Sequence, residues 1–315
     1  MKIVFLDKET ITSDSSVDFS SFNRRAEVVY YDKLSDPADI IAKTQDADVL
    51  VLNKVVLTAD TIAKLSSSIR MIAITATGYD NVDIDAASAR GIKVANVPGY
   101  GTQAVAQLTI MLLLACATQI IPQVDYMRQH GWSKKAGLAI PMHELFGKTL
   151  GVIGLGAIGT EVANLALCFG MNVVAYNRTP KNIPHVKMMD LPEVAKHADF
   201  VSLHCSLAPE TRNLIDESFL RHMRKSAYLI NTSRGGLVDE PVLIKALNEK
   251  WIRGAALDVL ASEPPAEDNP LLAMKNVIVT PHIGWAPIET RQRCVDITES
   301  NITSFYYGMP SNLLN

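Results

Sequence analysis

The chain has 315 residues, more than a single hydrophobic core usually organises, so two domains are expected. Hydrophobic residues make up 48% and charged ones 20%, and the formal net charge of -3 gives no general attraction for nucleic acid or an anionic membrane. The four cysteines (Cys116, Cys168, Cys205, Cys294) are far apart with no C-x-x-C spacing, which fits a reducing cytoplasm and argues against structural zinc.

Met1–Leu6 is too short for a secretory signal, and Asp7, Lys8 and Glu9 follow it; it reads as a first strand. Further strands are expected at 27–31, 49–52, 71–75 and 93–96. Helices are expected at 37–44, at 59–65 behind Thr58 as N-cap, and at 84–90 before Gly91. Alternating strands and helices imply a parallel sheet covered on both faces. Asn53 and Lys54, after the third strand, either face a ligand or belong to a solvated loop. Residues 96–102 (Asn-Val-Pro-Gly-Tyr-Gly-Thr) form a turn-rich hinge, and an almost wholly apolar helix is expected from Gln103 to about Ile121. Its longest apolar run, Leu108 to Ala117, is too short to cross a bilayer, so no membrane association is expected. Residues 129–144, with Trp132, read as an irregular arm.

The run Gly151-Val-Ile-Gly-Leu-Gly-Ala-Ile-Gly159 contains G-x-G-x-x-G at Gly154, Gly156 and Gly159, with a buried strand at 148–153 before it and a helix at 160–167 behind it. In that context the first glycine permits a tight turn. The second lets a pyrophosphate approach the backbone, and the third lets helix and strand pack closely. The phosphates then lie at a helix N-terminus, where N–H groups and the dipole favour negative charge.

A second strand series is expected at 172–176, 200–203, 227–231, 255–259 and 277–280, and a last helix at about 288–307 with no strand after it. That helix can return to the first domain. The expected division is therefore residues 1–98 with 288–315, and residues 99–287. Three clusters follow strands: Asn231-Thr-Ser-Arg-Gly-Gly236, Asp258-Val-Leu-Ala-Ser-Glu-Pro-Pro265 and Thr280-Pro-His-Ile-Gly-Trp285. Ligands of open α/β sheets bind beyond the carboxyl ends of strands, so these clusters can converge. Arg234 can grip a carboxylate or polarise a carbonyl, His282 can donate a proton to a forming alkoxide, and Glu263 can orient the imidazole and favour its protonated form. Singly, each has a plain reading as a surface anchor, a solvated charge or a packing histidine; following strands downstream of the fingerprint, the three suit reduction of a 2-oxo acid by a nicotinamide. His204 and Cys205 end another strand and are placed at an adenine pocket. Cys205 has no activating partner nearby in sequence, and the remaining histidines (His130, His143, His185, His197, His222) show no metal-site spacing.

The motifs GLGAIG, NTSRGG, DVLASEPP and PHIGWAP, with Ala76-Thr-Gly-Tyr-Asp-Asn-Val-Asp83 and Gly99-Tyr-Gly-Thr-Gln-Ala-Val-Ala-Gln107, resemble the D-isomer-specific 2-hydroxyacid dehydrogenase family over nearly the whole chain. The resemblance implies two Rossmann-like parallel-sheet α/β domains, one flavodoxin-like and one dinucleotide-binding, with an interdomain cleft and a homodimer. It implies Arg234, Glu263 and His282 as catalytic residues, and the backbone of Thr77 and Gly78, with Arg234, as substrate-binding. Ala157 and Ile158 would lie on the phosphates. Thr102 and Asp258 would lie near the nicotinamide, and Thr211, Thr232 and Gly284 complete the cofactor side. No metal is implied. The Ala-Thr-Gly-Tyr-Asp-Asn loop and Trp285 are similar to the family's glycerate dehydrogenase branch, the hydroxypyruvate or glyoxylate reductases. The chain leaves no room after PHIGWAP for the regulatory domain of long phosphoglycerate dehydrogenases, and Glu263 counts against formate as substrate. The alternatives are a D-lactate-type dehydrogenase of another 2-oxo acid and a non-catalytic NAD(H)-sensing corepressor-like protein.

An NAD site wants an acid about 20 residues beyond the glycines. Here Tyr176-Asn-Arg-Thr179 stands in that place, so Asn177 adds no repulsion toward a 2′-phosphate and Arg178 can pair with it. NADP(H) is therefore favoured over NAD(H); the alternative is that Arg178 points to solvent and Asn177 holds the ribose.

Overall fold

The structure, a computed structural model, describes residues 1–132 and 136–315. The chain forms two compact units: Met1–Gly101 with Ala286–Asn315, and Thr102–Trp285.

The first unit is built on five parallel strands, β1 (Lys2–Phe5), β2 (Glu27–Tyr30), β3 (Val49–Leu52), β4 (Met71–Ile74) and β5 (Lys93–Ala95), in the order β2-β1-β3-β4-β5. The runs VLVL and MIAI of β3 and β4 are buried on both faces, which is why they are continuously apolar rather than alternating. Three short helices begin at side-chain caps: Asp36 accepts the N–H groups of Ala38 and Asp39, Thr58 that of Thr61, and Asp83 that of Ala86. Each such cap typically contributes about 1 kcal/mol. The last helix, Ile288–Tyr306, packs Val295 and Ile302 with Ile3, Phe5 and Met71, completing one face of this sheet.

The second unit is built on seven parallel strands: β6 (Thr149–Ile153), β7 (Asn172–Tyr176), β8 (Val186–Met188), β9 (Phe200–Leu203), β10 (Tyr228–Asn231), β11 (Gly254–Leu257) and β12 (Val277–Val279). Their order is β12-β11-β10-β9-β6-β7-β8, so the chain reverses its lateral direction at β6, between β7 and β9. One core gathers Leu112, Val162 and Ile230 on one face; another gathers Val194, Leu229 and Leu243 on the other.

The helix expected to run to Ile121 is broken. It spans Thr102–Thr118, Gln119 takes a left-handed φ of 53°, and a second helix, Ile120–His130, follows at a bend of 53°. The Gln119 amide makes the break by donating to the Cys116 carbonyl and to the Tyr228 hydroxyl, at 2.7 and 2.9 Å. The expected irregular arm at 129–144 includes the end of that second helix and a short helix at Ala136–Ala139; residues 133–135 of it lie outside the described residues. Among the described residues no single helix is long and apolar enough to cross a membrane.

Candidate active site

The glycine-rich turn sits where β6 ends. Gly154 has φ +97°, and a Cβ there would lie 2.7 Å from both the Cys205 nitrogen and the His204 carbonyl carbon. A Cβ on Gly159 would lie 1.9 Å from the Gly154 oxygen, so helix Ala157–Cys168 can approach the turn only with glycine at that position. Gly156 is the N-cap of that helix, and a Cβ on it would meet no atom within 4 Å. Two glycines are thus demanded by backbone contact, and one lies on the open side before the N-terminal N–H groups of Ala157 and Ile158, an arrangement able to hold a pyrophosphate.

Both backbone polar groups of Leu155 are held from the segment after β7. Its N–H donates to Asn177 Oδ1 (2.8 Å), and its carbonyl accepts from Lys181 Nζ (2.7 Å). Asn177 Nδ2 donates to the Thr179 carbonyl, so both ends of the Asn177 amide bond backbone. Arg178 is exposed. Lys181 was not legible as a site residue; its signal is a second cation in Asn-Arg-Thr-Pro-Lys, three residues from Arg178.

Beneath the turn, His204 donates its backbone N–H to Ile153 O, and its Nε2 lies 2.8 Å from the Ser202 hydroxyl. Its Nδ1 is buried without a partner among the described residues, and burial lowers the pKa of this histidine to about 3, so it stays neutral. Cys205 is half-buried, and burial pushes its thiol upward, which disfavours a nucleophilic thiolate. The Thr211 hydroxyl accepts from Ala208 N–H and donates to Ser206 O, folding the loop beyond Cys205. Thr232 is buried, with its hydroxyl 2.8 Å from that of Thr109. Thr102 opens its helix half-exposed.

The other three clusters lie beyond the adjacent strands β10, β11 and β12. Arg234 follows β10 and donates from Nη1 to Ser233 O, while the Asn231 amide fixes the same turn by donating to Arg234 O. His282 follows β12 and is bonded through Nδ1 to Glu263 Oε2 at 2.6 Å. The structure thus brings together the acid and the imidazole that lie 19 residues apart in sequence. His282 itself has φ +53°, an uncommon conformation for a non-glycine residue.

Asp258, buried at 1% exposure, holds the His282 turn in place. Its carboxylate accepts from the Thr280 hydroxyl and from the N–H groups of Ile283 and Gly284, both at 2.9 Å, while its carbonyl accepts the His282 N–H at 2.8 Å. A Cβ on Gly284 would lie 3.2 Å from that carboxylate.

In the first unit, Thr77 and Gly78 follow β4. Asn96 Nδ2 donates to Thr77 O and the Thr77 hydroxyl donates to Val97 O, while the N–H groups of Thr77 and Gly78 donate to no acceptor among the described residues. The loop after β3 is clamped by Asp7, whose buried carboxylate accepts the consecutive N–H groups of Asn53, Lys54 and Val55. Burial raises the Asp7 pKa, and those bonds oppose the shift. The Asn53 amide donates inward to Thr10 O; Lys54 is exposed. No group of three or more His, Cys, Asp or Glu among the described residues is arranged to hold a metal ion.

A parallel sheet with a glycine-rich turn at its reversal point, and with a carboxylate–imidazole pair and an arginine beyond other strands of the same sheet, is the arrangement of a nicotinamide dinucleotide-dependent oxidoreductase. Known proteins it resembles give the family. Residues 110–284 match the family model described as D-isomer specific 2-hydroxyacid dehydrogenase, NAD binding domain. The chain is 37% identical to a glycerate dehydrogenase of Methylorubrum extorquens, covering 99% of this chain and 98% of that one. It is 36% identical to a hydroxypyruvate reductase of Blautia hydrogenotrophica, with both covered completely. The structure of an acyclic imino acid reductase (Bsp5) in complex with NADPH and D-Arg superposes with a TM-score of 0.90 at 30% identity, over the full length of both chains. The chain belongs to the D-isomer-specific 2-hydroxyacid dehydrogenase family, and its cofactor is a nicotinamide dinucleotide.

Proposed function

We propose that this protein reduces a small 2-oxo acid, hydroxypyruvate or glyoxylate, to the D-2-hydroxy acid, with NADPH preferred and His282 as the acid/base. The observation that carries the reading is the 2.6 Å bond between His282 Nδ1 and Glu263 Oε2, which leaves Nε2 as the imidazole's proton-transferring atom. Glu263 fixes the orientation of the ring. Arg234 takes the substrate carbonyl or carboxylate through its planar fork, and the N–H groups of Thr77 and Gly78 take the carboxylate. The cofactor phosphates are assigned to Gly154, Gly156, Ala157, Ile158 and Gly159, its adenine side to Cys205 and Thr211, and its nicotinamide side to Thr102, Thr232, Asp258 and Gly284. When bound, the nicotinamide supplies the hydride. The names of the two enzymes at 36–37% identity favour hydroxypyruvate.

Two cations in the turn after β7, Arg178 and Lys181, support the NADPH preference. Arg178→Ala is expected to weaken NADPH by about 1.5–3 kcal/mol, one charge-assisted hydrogen bond, and barely to affect NADH. Asn177→Asp keeps an acceptor for the Leu155 N–H but adds an anion beside the 2′-phosphate, so NADPH weakens and NADH gains. Cofactor titrations on wild type and both variants, with initial rates on hydroxypyruvate, glyoxylate, pyruvate and phenylpyruvate, test the assignment. A wild-type enzyme preferring NADH by about an order of magnitude, 1.4 kcal/mol, removes the preference outright.

A homodimer working in the cytoplasm completes the reading. The exposed side chains of Trp132, Leu138 and Phe146 support self-association, and the four unpaired cysteines support a reducing compartment. Light scattering in solution is expected to give twice the chain mass; a monomer mass refutes the dimer.

A further inference from the structure

Glu263 lies on a loop without regular structure that runs from the end of β11 at Leu257 to the helix beginning at Pro270. A carboxylate on so long a loop holds its geometry only if the loop is anchored elsewhere. The anchor is one peptide unit. The Leu260 carbonyl lies so close to Gly235 that a Cβ there would sit 1.9 Å from its oxygen, and the Ala261 N–H of the same peptide donates to Glu240 Oε2 at 2.9 Å. The preceding N–H, that of Leu260, donates to Glu263 Oε1 at 3.2 Å, and Glu263 Oε2 bonds His282. The other oxygen of Glu240 accepts from Asn269 Nδ2 at 2.8 Å, where the loop ends and Asn269 caps the next helix.

Glu240 is the first residue of helix Glu240–Asn248, and an acid there commonly serves the helix itself. Here that role is filled by Asp239, whose side chain accepts the Val242 N–H. Both Glu240 oxygens instead bond the loop, at its two ends. We infer that Glu240 is a positioning residue for the Glu263–His282 pair, acting through the Leu260–Ala261 peptide; this rests on the reading of that pair as the acid/base.

The test uses the full-length enzyme with Glu240→Ala, Glu240→Gln, Glu263→Gln and the Glu240→Ala/Glu263→Gln double variant. Cofactor affinity, thermal midpoint, and the pH dependence of kcat and KM for reduction are measured. Reduction needs protonated His282, so activity falls on the alkaline side. Losing the Glu263 charge lets the proton leave at lower pH, and that limb moves toward lower pH. The Asp258 carboxylate, which faces the Ile283 and Gly284 N–H groups and the Thr280 hydroxyl, and the Arg234 charge are the same in every variant.

Glu240→Ala is expected to move the limb in the same direction by less. It should lower kcat about ten- to a hundredfold, as misplacing a catalytic group does, without changing cofactor affinity. Glu240→Gln keeps the length and one carbonyl acceptor, so its effect should be intermediate. In the Glu263→Gln background, Glu240→Ala should move the limb no further. A Glu240→Ala enzyme with a lower thermal midpoint but wild-type kcat and limb overturns the inference, as do fully multiplying effects in the double variant. A Glu263→Gln enzyme with an unchanged limb overturns the acid/base reading itself, and the inference with it.

Discussion

Replacing His282 with alanine is expected to lower kcat about 10²–10⁴-fold, the usual contribution of a positioned general acid, while cofactor affinity stays near that of wild type. The expectation follows from the bond to Glu263, which fixes the ring, and from the four hydrogen bonds that Asp258 contributes to the turn carrying it. Backbone conformation needs its own control, because position 282 has φ +53° and a β-carbon there is strained by about 1–2 kcal/mol. Asparagine tolerates that region better than alanine but cannot relay the proton. His282→Asn should therefore match His282→Ala in kcat while retaining more of the wild-type thermal midpoint. A wild-type kcat in either variant assigns the acid to another group.

Arg234→Lys should also be costly although the charge is kept. A lysine ammonium is a point charge and cannot reproduce a planar pair of parallel N–H donors. Losing one charge-assisted hydrogen bond to the oxo acid corresponds to about 1.5–3 kcal/mol, or roughly 10- to 150-fold in kcat/KM. Because the guanidinium would hold both substrate and transition state, most of that loss should appear as a rise in KM. The cofactor dissociation constant is the discriminating measurement. A loss confined to it takes Arg234 out of the substrate site.

The sequence announced those side chains whose chemistry constrains their identity. A glycine-rich turn, a Ser-Arg-Gly-Gly turn and a Pro-His pair after apolar runs are rare combinations, and the sheet's topology does the rest by aligning strand ends. Elements determined by distant partners were less visible. β8 is three residues, two half-exposed around an exposed Lys187, too short to display a period. The break at Gln119 depends on Tyr228, 109 residues away, although Pro122 in the first turn of the next helix was a local sign of a new start. Asn177 reads in the sequence as a ribose contact or a neutral neighbour of phosphate, and that both ends of its amide also bond backbone is not legible there. Glu240 and Lys181 look like ordinary surface charges until the carbonyl and N–H groups they reach are located.

The last helix, Ile288–Tyr306, has a consequence for how the molecule is made. It supplies Val295 and Ile302 to a core whose members Ile3, Phe5 and Met71 leave the ribosome well before it. Between them lies the whole of Thr102–Trp285, a continuous segment that forms a compact unit. At about 5–20 residues per second, that segment takes roughly ten to forty seconds to synthesise. For that interval the nascent first sheet keeps one apolar face unsealed, the time in which a chaperone's grip or a stray encounter with another chain matters most.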